Sequence, residues 1–242
     1  MGLDLYVGSF TRYYSGNWET ILQQAARGGS VPFPVEVSRP VAPPRNIFQR
    51  LVDTLRPRQP TAEEAVRGWQ VRLRRELGLA DVTWNEDPSG EYFTDKPAWD
   101  CYGALLLWVA YDELPRAKRR ETGEDWDQDS AYLAARINPR SQYPHLIADT
   151  EIWVPLDFPE PIRTTVITKD SVVVGSSKRL LRELVQLNAH TWTAGPQQLA
   201  QWRSEGAEHG APLEVSARFA FSIFHELTTQ SVERSLPMKL DY

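Results

Sequence analysis

EYFTDKPAWDCYGALLLWVAYDE, residues 91–113, holds the longest apolar run in the chain, Ala104 to Tyr111, directly after a dense group of aromatic and charged side chains. Thr94 or Asp95 suits a helix cap. Pro97 suits the first turn, where the amide that proline lacks has no partner anyway. The spacing predicts a helix over about 97–113. At helical period Trp99, Tyr102, Leu106 and Val109 share one side, Leu107 and Tyr111 a second, Ala104 and Trp108 a third. A helix that is apolar nearly all round is covered by protein on most sides. Asp100 and Asp112 interrupt it, and a membrane span needs about twenty uninterrupted apolar residues. Trp99, Tyr102, Trp108 and Tyr111 would each remove on the order of 150–250 Å² from water when buried. At roughly 25 cal/mol per Å² that is several kcal/mol apiece before entropy is subtracted. The other elements are expected to pack around this helix.

Upstream, Leu3, Leu5 and Val7 alternate with polar neighbours, as in a strand with one buried face. Residues 10–16 read as a loop. Asn17 then caps a helix carrying Trp18, Ile21, Leu22 and Ala25, which Gly28 and Gly29 end. The proline-rich stretch at about 30–60 reads as a surface excursion, with a short edge strand at 35–37 and an amphipathic helix through 47–55. Thr61 and Glu64 form a capping box. Val66, Trp69, Leu73 and Leu77 are the stripe of the helix that follows, and Gly78 stops it. Val82–Trp84 is expected to be a short strand.

Downstream, Asp125, Asp127 and Asp129 alternate as in a calcium loop, but Ser130 replaces the glycine and Arg136 the closing glutamate. An acid-rich helix start fits better, with Trp126, Leu133 and Ile137 as its buried side. Residues 138–149 read as a loop. Thr150–Leu156 is a strand, placed near a sheet edge by Pro155, Pro159 and Pro161. Thr164–Thr168 and Val172–Gly175 form a hairpin. Ser176 or Ser177 caps the next helix, and two more cover 196–206 and 213–235. Strands and helices do not alternate in βαβ fashion. The expected fold is therefore α+β: one domain over 1–242, with a small, mainly antiparallel sheet packed by several helices around the buried central helix.

The 242 residues are 41% hydrophobic and 24% charged, an ordinary globular composition. The net charge of -5 comes from interspersed signs, which argues against a nucleic-acid binder. One cysteine excludes an internal disulfide framework and a zinc–cysteine cluster. The opening residues lack the basic start and apolar core of a signal peptide, so a cytoplasmic protein with no membrane contact is expected. The four histidines show no ligand spacing, and His225-Glu226-Leu227-Thr228-Thr229 lacks the second histidine of a metalloprotease. Residues 172–177, VVVGSS, lack the second glycine and the lysine of a phosphate loop. No metal and no cofactor are expected. Cys101, among bulky apolar neighbours, reads as an inert buried thiol.

Two stretches remain that could carry chemistry. One is Arg12-Tyr13-Tyr14, after the first strand. The other runs from Glu91 to Lys96, with Trp99 and Asp100 on the first turn of the central helix. If the first strand packs beside that helix, Arg12, Tyr13, Tyr14, Asp95, Lys96, Trp99 and Asp100 meet in a polar pocket with aromatic walls. Asp95 or Asp100 would serve there as a general base if desolvated. The plainer account makes Asp95 a cap, Asp100 a partner of the helix dipole, and the rings packing material.

The opening MGLDLYVGSFTRYY, the YFTDKPAWDCYGALLLWVAYDE stretch and VVVGSSKRLLRELVQLN resemble a set of uncharacterised bacterial proteins that begin the same way. The resemblance runs over most of the chain and implies a bacterial cytosolic protein, with no activity attached. Without a catalytic motif, a non-enzymatic interaction protein is the first expectation. Its specific form is an immunity-type protein whose acidic surface neutralises a basic, toxin-like protein partner. The alternative is a hydrolase or sensor of a small molecule, working through the pocket of Asp95 and Asp100.

Overall fold

The computed structural model describes residues 3–27, 60–119, 125–168 and 170–242. Alternation gives the first strand as expected, β1 (Asp4–Val7). Five more follow: β2 (Phe93–Asp95), β3 (Thr150–Val154), β4 (Ile162–Thr165), β5 (Ser171–Ser176) and β6 (Met238–Asp241). They form one sheet in the order β2-β1-β6-β3-β5-β4, antiparallel except for the β3–β5 pair. The fold is α+β. The hairpin is present as β4 and β5. β3, expected at an edge, lies inside the sheet between β6 and β5. Pro155 follows its last residue and so removes no ladder bond. β6 was not anticipated, although Met238 and Leu240 alternate with Lys239 and Asp241.

The helices among the described residues are α1 (Phe10–Tyr14), α2 (Ile21–Arg27), α3 (Ala62–Leu77), α4 (Trp99–Glu113), α5 (Ser130–Arg136), α6 (Pro144–Ile147), α7 (Ser177–Thr191), α8 (Pro196–Glu205) and α9 (Leu213–Arg234). A 3-10 turn covers Trp126–Gln128. α4 is the expected central helix, buried without a break from Cys101 to Tyr111. It starts two residues later than predicted, because Thr94 and Asp95 belong to β2 and pair with Tyr6 and Leu5. Ala98 stands at its cap with φ 58° and no side-chain cap bond. The helix that lies against β1, β2 and β6 is α9, and α4 packs along α9 and α5. This inner position explains its apolar circumference.

Two cores result. Leu5, Val7, Trp153, Met238 and Leu240 join α4 and α9 on one side of the sheet. Ile152, Val154, Val172 and Val174 meet Val66, Trp69 and Leu73 of α3 on the other, with Phe10 and Trp84. The capping box of Thr61 and Glu64 and the left-handed Gly78 bound α3 as expected.

Several local expectations are corrected. Residues 10–14 are helical because Ser9 caps Arg12 and the Glu86 carboxylate accepts the amides of Phe10 (3.2 Å) and Thr11 (2.8 Å). The next helix starts at Ile21, leaving Trp18 to stack on Tyr13 with ring centroids 5.3 Å apart. Val82 and Trp84 are buried but form no strand. Ile137 is 74% exposed and Leu133 is exposed; Tyr132 and Ala135 fill the inner side of α5 instead. Residues 144–147 are a buried helix, not loop. The glycine stop at 28–29, the strand at 35–37 and the helix at 47–55 fall outside the described residues, as does nearly all of the proline-rich excursion.

Gly103, inside α4, is in direct contact with the Trp126 indole, and a methyl group at residue 103 would overlap that ring. His145 ties four segments together. Its Nδ1 accepts the Ser176 amide (2.9 Å), its Nε2–H donates to the Pro159 carbonyl (3.0 Å), and its own carbonyl accepts the Trp153 indole N–H (2.7 Å). Glu183 accepts the amides of His145 and Leu146, both at 3.0 Å. Burial pushes the His145 imidazole down to about 4 and the Glu183 carboxyl up to about 8.

Gly103→Ala should lower the unfolding free energy by about 1–3 kcal/mol in urea titrations, through overpacking against Trp126; a neutral substitution would show that the contact is loose. For His145, the unfolded chain binds a proton below about pH 6.5 that the folded chain refuses until about pH 4, so its contribution falls as pH drops through that window. The stability gap between wild type and His145→Asn should therefore widen by about 3 kcal/mol between pH 4 and pH 6.5. Glu183 has the opposite sign: stability present below about pH 4.5 is lost as pH rises through about 8. The gap to Glu183→Gln should narrow over that range, and pH-independent gaps would refute both assignments.

Candidate functional site

The seven residues singled out from the sequence are divided between the sides of the sheet. Asp95 pairs with Leu5 in register, so its side chain shares the side on which α9 lies. There its Oδ2 accepts from Nε of Arg203, on α8, at 2.7 Å. Lys96 reaches Asp4, its Nζ 3.9 Å from Oδ2. Asp4 stands opposite Asp241 on β6, and the Tyr13 hydroxyl donates to Asp241 Oδ1 at 2.5 Å. Burial and then Asp241 hold the Tyr13 phenol well above its ordinary range. Arg12 donates to the Gly90 carbonyl at 2.9 Å and lies over the Tyr92 ring. Tyr14 packs on Phe10 and Tyr13. Arg12, Tyr13, Tyr14 and Lys96 thus belong to one network, and Asp95 to another. Asp100, whose Oδ2 is 3.5 Å from His209 Nδ1, and Trp99 stand at the start of α4.

That helix start is where aromatic and acidic groups converge at the surface. Trp99 opens α4 and is 44% exposed. Its ring meets Trp126 at 5.3 Å and Tyr242 at 6.2 Å, and Tyr242 is 65% exposed. Gly103 admits the Trp126 indole, and this fixes Asp125 and Asp127, both exposed, beside Trp99. Asp129, buried, accepts the Ala131 amide at 2.8 Å and the Tyr111 hydroxyl at 3.1 Å, which anchors the end of the same segment. Tyr132 packs on Trp126 at 5.2 Å and donates to Asp149 Oδ1 at 2.9 Å. Asp149 also pairs with Arg136 at 3.1 Å. Glu151 lies close to Asp149 and Tyr242. Burial raises its carboxyl above the usual range, against the pull of nearby Lys239.

The result is an exposed indole and phenol bordered by Asp100, Asp125, Asp127, Asp149 and Glu151. Such a surface offers an apolar anchor inside a rim of negative charge. Sequence reasoning reached Trp99 and Asp100, and saw the alternation of Asp125 and Asp127 as a helix start. It missed Trp126 as the dock that places them, and Asp149, Glu151 and Tyr242 altogether. The available signal for Tyr242 was the alternation of β6 just before it. Among the described residues there is no cluster of three or more potential metal ligands, and no helix is long and apolar enough to cross a membrane.

One protein-family model matches the chain, over residues 50–239; the family is described as "Putative DNA-mimic protein". No curated protein and no solved structure matches. The family match corrects the toxin-like partner expected from the sequence, because a DNA mimic is directed at proteins that bind DNA.

If Trp126 is scaffold and the flanking carboxylates are surface, substitution should separate them. Asp127→Asn should change the unfolding free energy by no more than about 0.5 kcal/mol. Trp126→Ala should cost about 3–5 kcal/mol. Comparable losses in urea titrations would place Asp127 in the folding framework instead.

Proposed function

This chain belongs to the DNA-mimic family matched over residues 50–239, and from that premise we propose that it binds a DNA-binding protein in place of DNA. In this reading the acidic, aromatic surface at the start of α4 is the part that stands in for nucleic acid. The family match is the observation that carries the proposal. Proteins that bind DNA read the phosphate backbone through Lys and Arg, and much of the affinity comes from displaced counterions. Carboxylates held on a protein surface offer such a face the same sign of charge.

The net charge of -5 is small for 242 residues, so mimicry has to be local rather than a property of the whole chain. The start of α4 meets that need. Asp125 and Asp127 are exposed and held by a buried tryptophan, and Asp100, Asp149 and Glu151 extend the same border. Trp99 and Tyr242 add the aromatic contact that carries affinity in protein interfaces. The role requires binding only, in keeping with the absence of a catalytic motif in the sequence.

The test is capture from a nuclease-treated bacterial lysate on the immobilised chain, followed by elution with a short DNA duplex. Proteins that bind DNA should be enriched, should leave on addition of duplex, and should leave again as salt rises from about 50 to 200 mM. A triple variant, Asp125→Asn, Asp127→Asn and Glu151→Gln, should retain at least roughly tenfold less of them. Capture that neither duplex nor the triple variant reduces would overturn the proposal.

A further inference from the structure

A cleft of about 500 Å³ lies where α8 and the end of α7 meet α9. Two amphipathic faces form it. From α8 come Pro196, Leu199, Ala200 and Arg203, at helical spacing: three apolar groups and then a guanidinium. From α9 come Ser222, His225, Glu226 and Thr229, at the same spacing. The size is that of a small-molecule site.

Most of the polar groups here are already engaged. Asn188 donates to the Ala194 carbonyl and accepts the Ala194 amide, both at 2.9 Å. The hydroxyls of Ser204, Ser222 and Thr229 donate to carbonyls of their own helices. Three groups keep unused capacity. Arg203 gives Nε to Asp95, and among the described residues neither of its terminal nitrogens has a partner. Glu226 accepts from Gln230 through Oε1 at 3.0 Å, and its Oε2 has no described partner. The His225 ring lies 5.8 Å from that of Phe221, and its nitrogens have none either. Burial lowers the proton affinity of this imidazole, so at neutral pH it is uncharged and can accept a hydrogen bond.

Arg203 and Glu226 thus line one concavity without pairing with each other. A cation on one helix and an anion on the other, with Pro196, Leu199 and Ala200 lining the same cleft, are the complement of a molecule carrying both charges and an apolar group. We infer that this cleft binds a small zwitterion, an α-amino acid with an apolar side chain. The carboxylate meets the terminal nitrogens of Arg203 as a charge-assisted pair. The ammonium donates to Glu226 and His225. The side chain lies on Pro196, Leu199 and Ala200. None of the cleft residues named here belongs to the acidic surface at the start of α4; the Arg203–Asp95 ion pair ties the cleft to β2.

The experiment is an NMR titration of the full chain, following the imidazole resonances of His225, assigned with His225→Asn. The probes are L-leucine, N-acetyl-L-leucine (no ammonium), L-leucinamide (no carboxylate) and glycine (no side chain). Millimolar L-leucine should give a saturable shift, and each of the other three should bind roughly tenfold or more weakly. Glu226→Gln, which replaces one oxygen at the cleft surface, should remove the response to L-leucine. No saturable shift, an equal response to the acid lacking an ammonium and the amide lacking a carboxylate, or an unchanged response in Glu226→Gln would each overturn the assignment.

Discussion

A helix with eleven consecutive buried residues, Cys101 to Tyr111, cannot show any side to water, and the rest of the structure answers that constraint. α9 takes one flank and lies between α4 and the sheet. α5 and the 3-10 turn take another, and α6 closes part of the remainder. Tyr102 stacks on Phe224 at 5.5 Å, Phe224 meets Trp153 at 6.0 Å, and so the helix is joined to the sheet through rings. Each of these burials contributes through area removed from water and through dispersion in a close-packed interior. Moving any flank would expose an apolar side that has no polar residue to present instead.

The same constraint decides where the candidate site lies. A helix enclosed along its length meets solvent only at its ends. The start of α4 emerges with Trp99 and Asp100, and Trp126, pressed against Gly103, sets an acidic segment beside them. The proposed interaction surface is therefore a by-product of how the core is closed, built on elements that cannot shift without cost to stability. Such support is what holds binding groups in fixed geometry.

The sequence made the framework legible wherever one period or one local rule governed the outcome. The apolar run gave α4, the alternation at Leu3–Val7 gave β1, and the Thr61–Glu64 box with Gly78 gave both ends of α3. It failed where a distant partner overrode a local signal. Residues 10–14 are helical because Glu86, more than seventy positions away, accepts their first amides. Thr94 and Asp95 have cap chemistry but serve as a strand because β1 has an open edge beside them. The prolines near β3 suggested an edge, yet they follow the strand rather than interrupt it. For the candidate site, residue types pointed to Trp99 and Asp100. Nothing local revealed that Glu151, about fifty residues beyond Trp99, and Tyr242, more than a hundred beyond it, would arrive beside it. The pocket drawn from Arg12 to Asp100 assumed that two loops share one end; the register of β1 and β2 turns Asp95 toward α8 and Lys96 toward Asp4.

The place of β6 between β1 and β3 has a consequence for how the molecule assembles. β1 leaves the ribosome more than two hundred residues ahead of the strand that joins it to β3, β5 and β4. Until β6 arrives, β1 and β2 have no hydrogen-bonded link to the other half of the sheet. Closing so long a loop is entropically slow, and nascent chains would carry an unfilled slot shaped for one particular four-residue strand. During that interval the unpaired sides of β1 and β3 are open to strands from other chains, which makes synthesis, rather than the finished fold, the stage most exposed to misassembly.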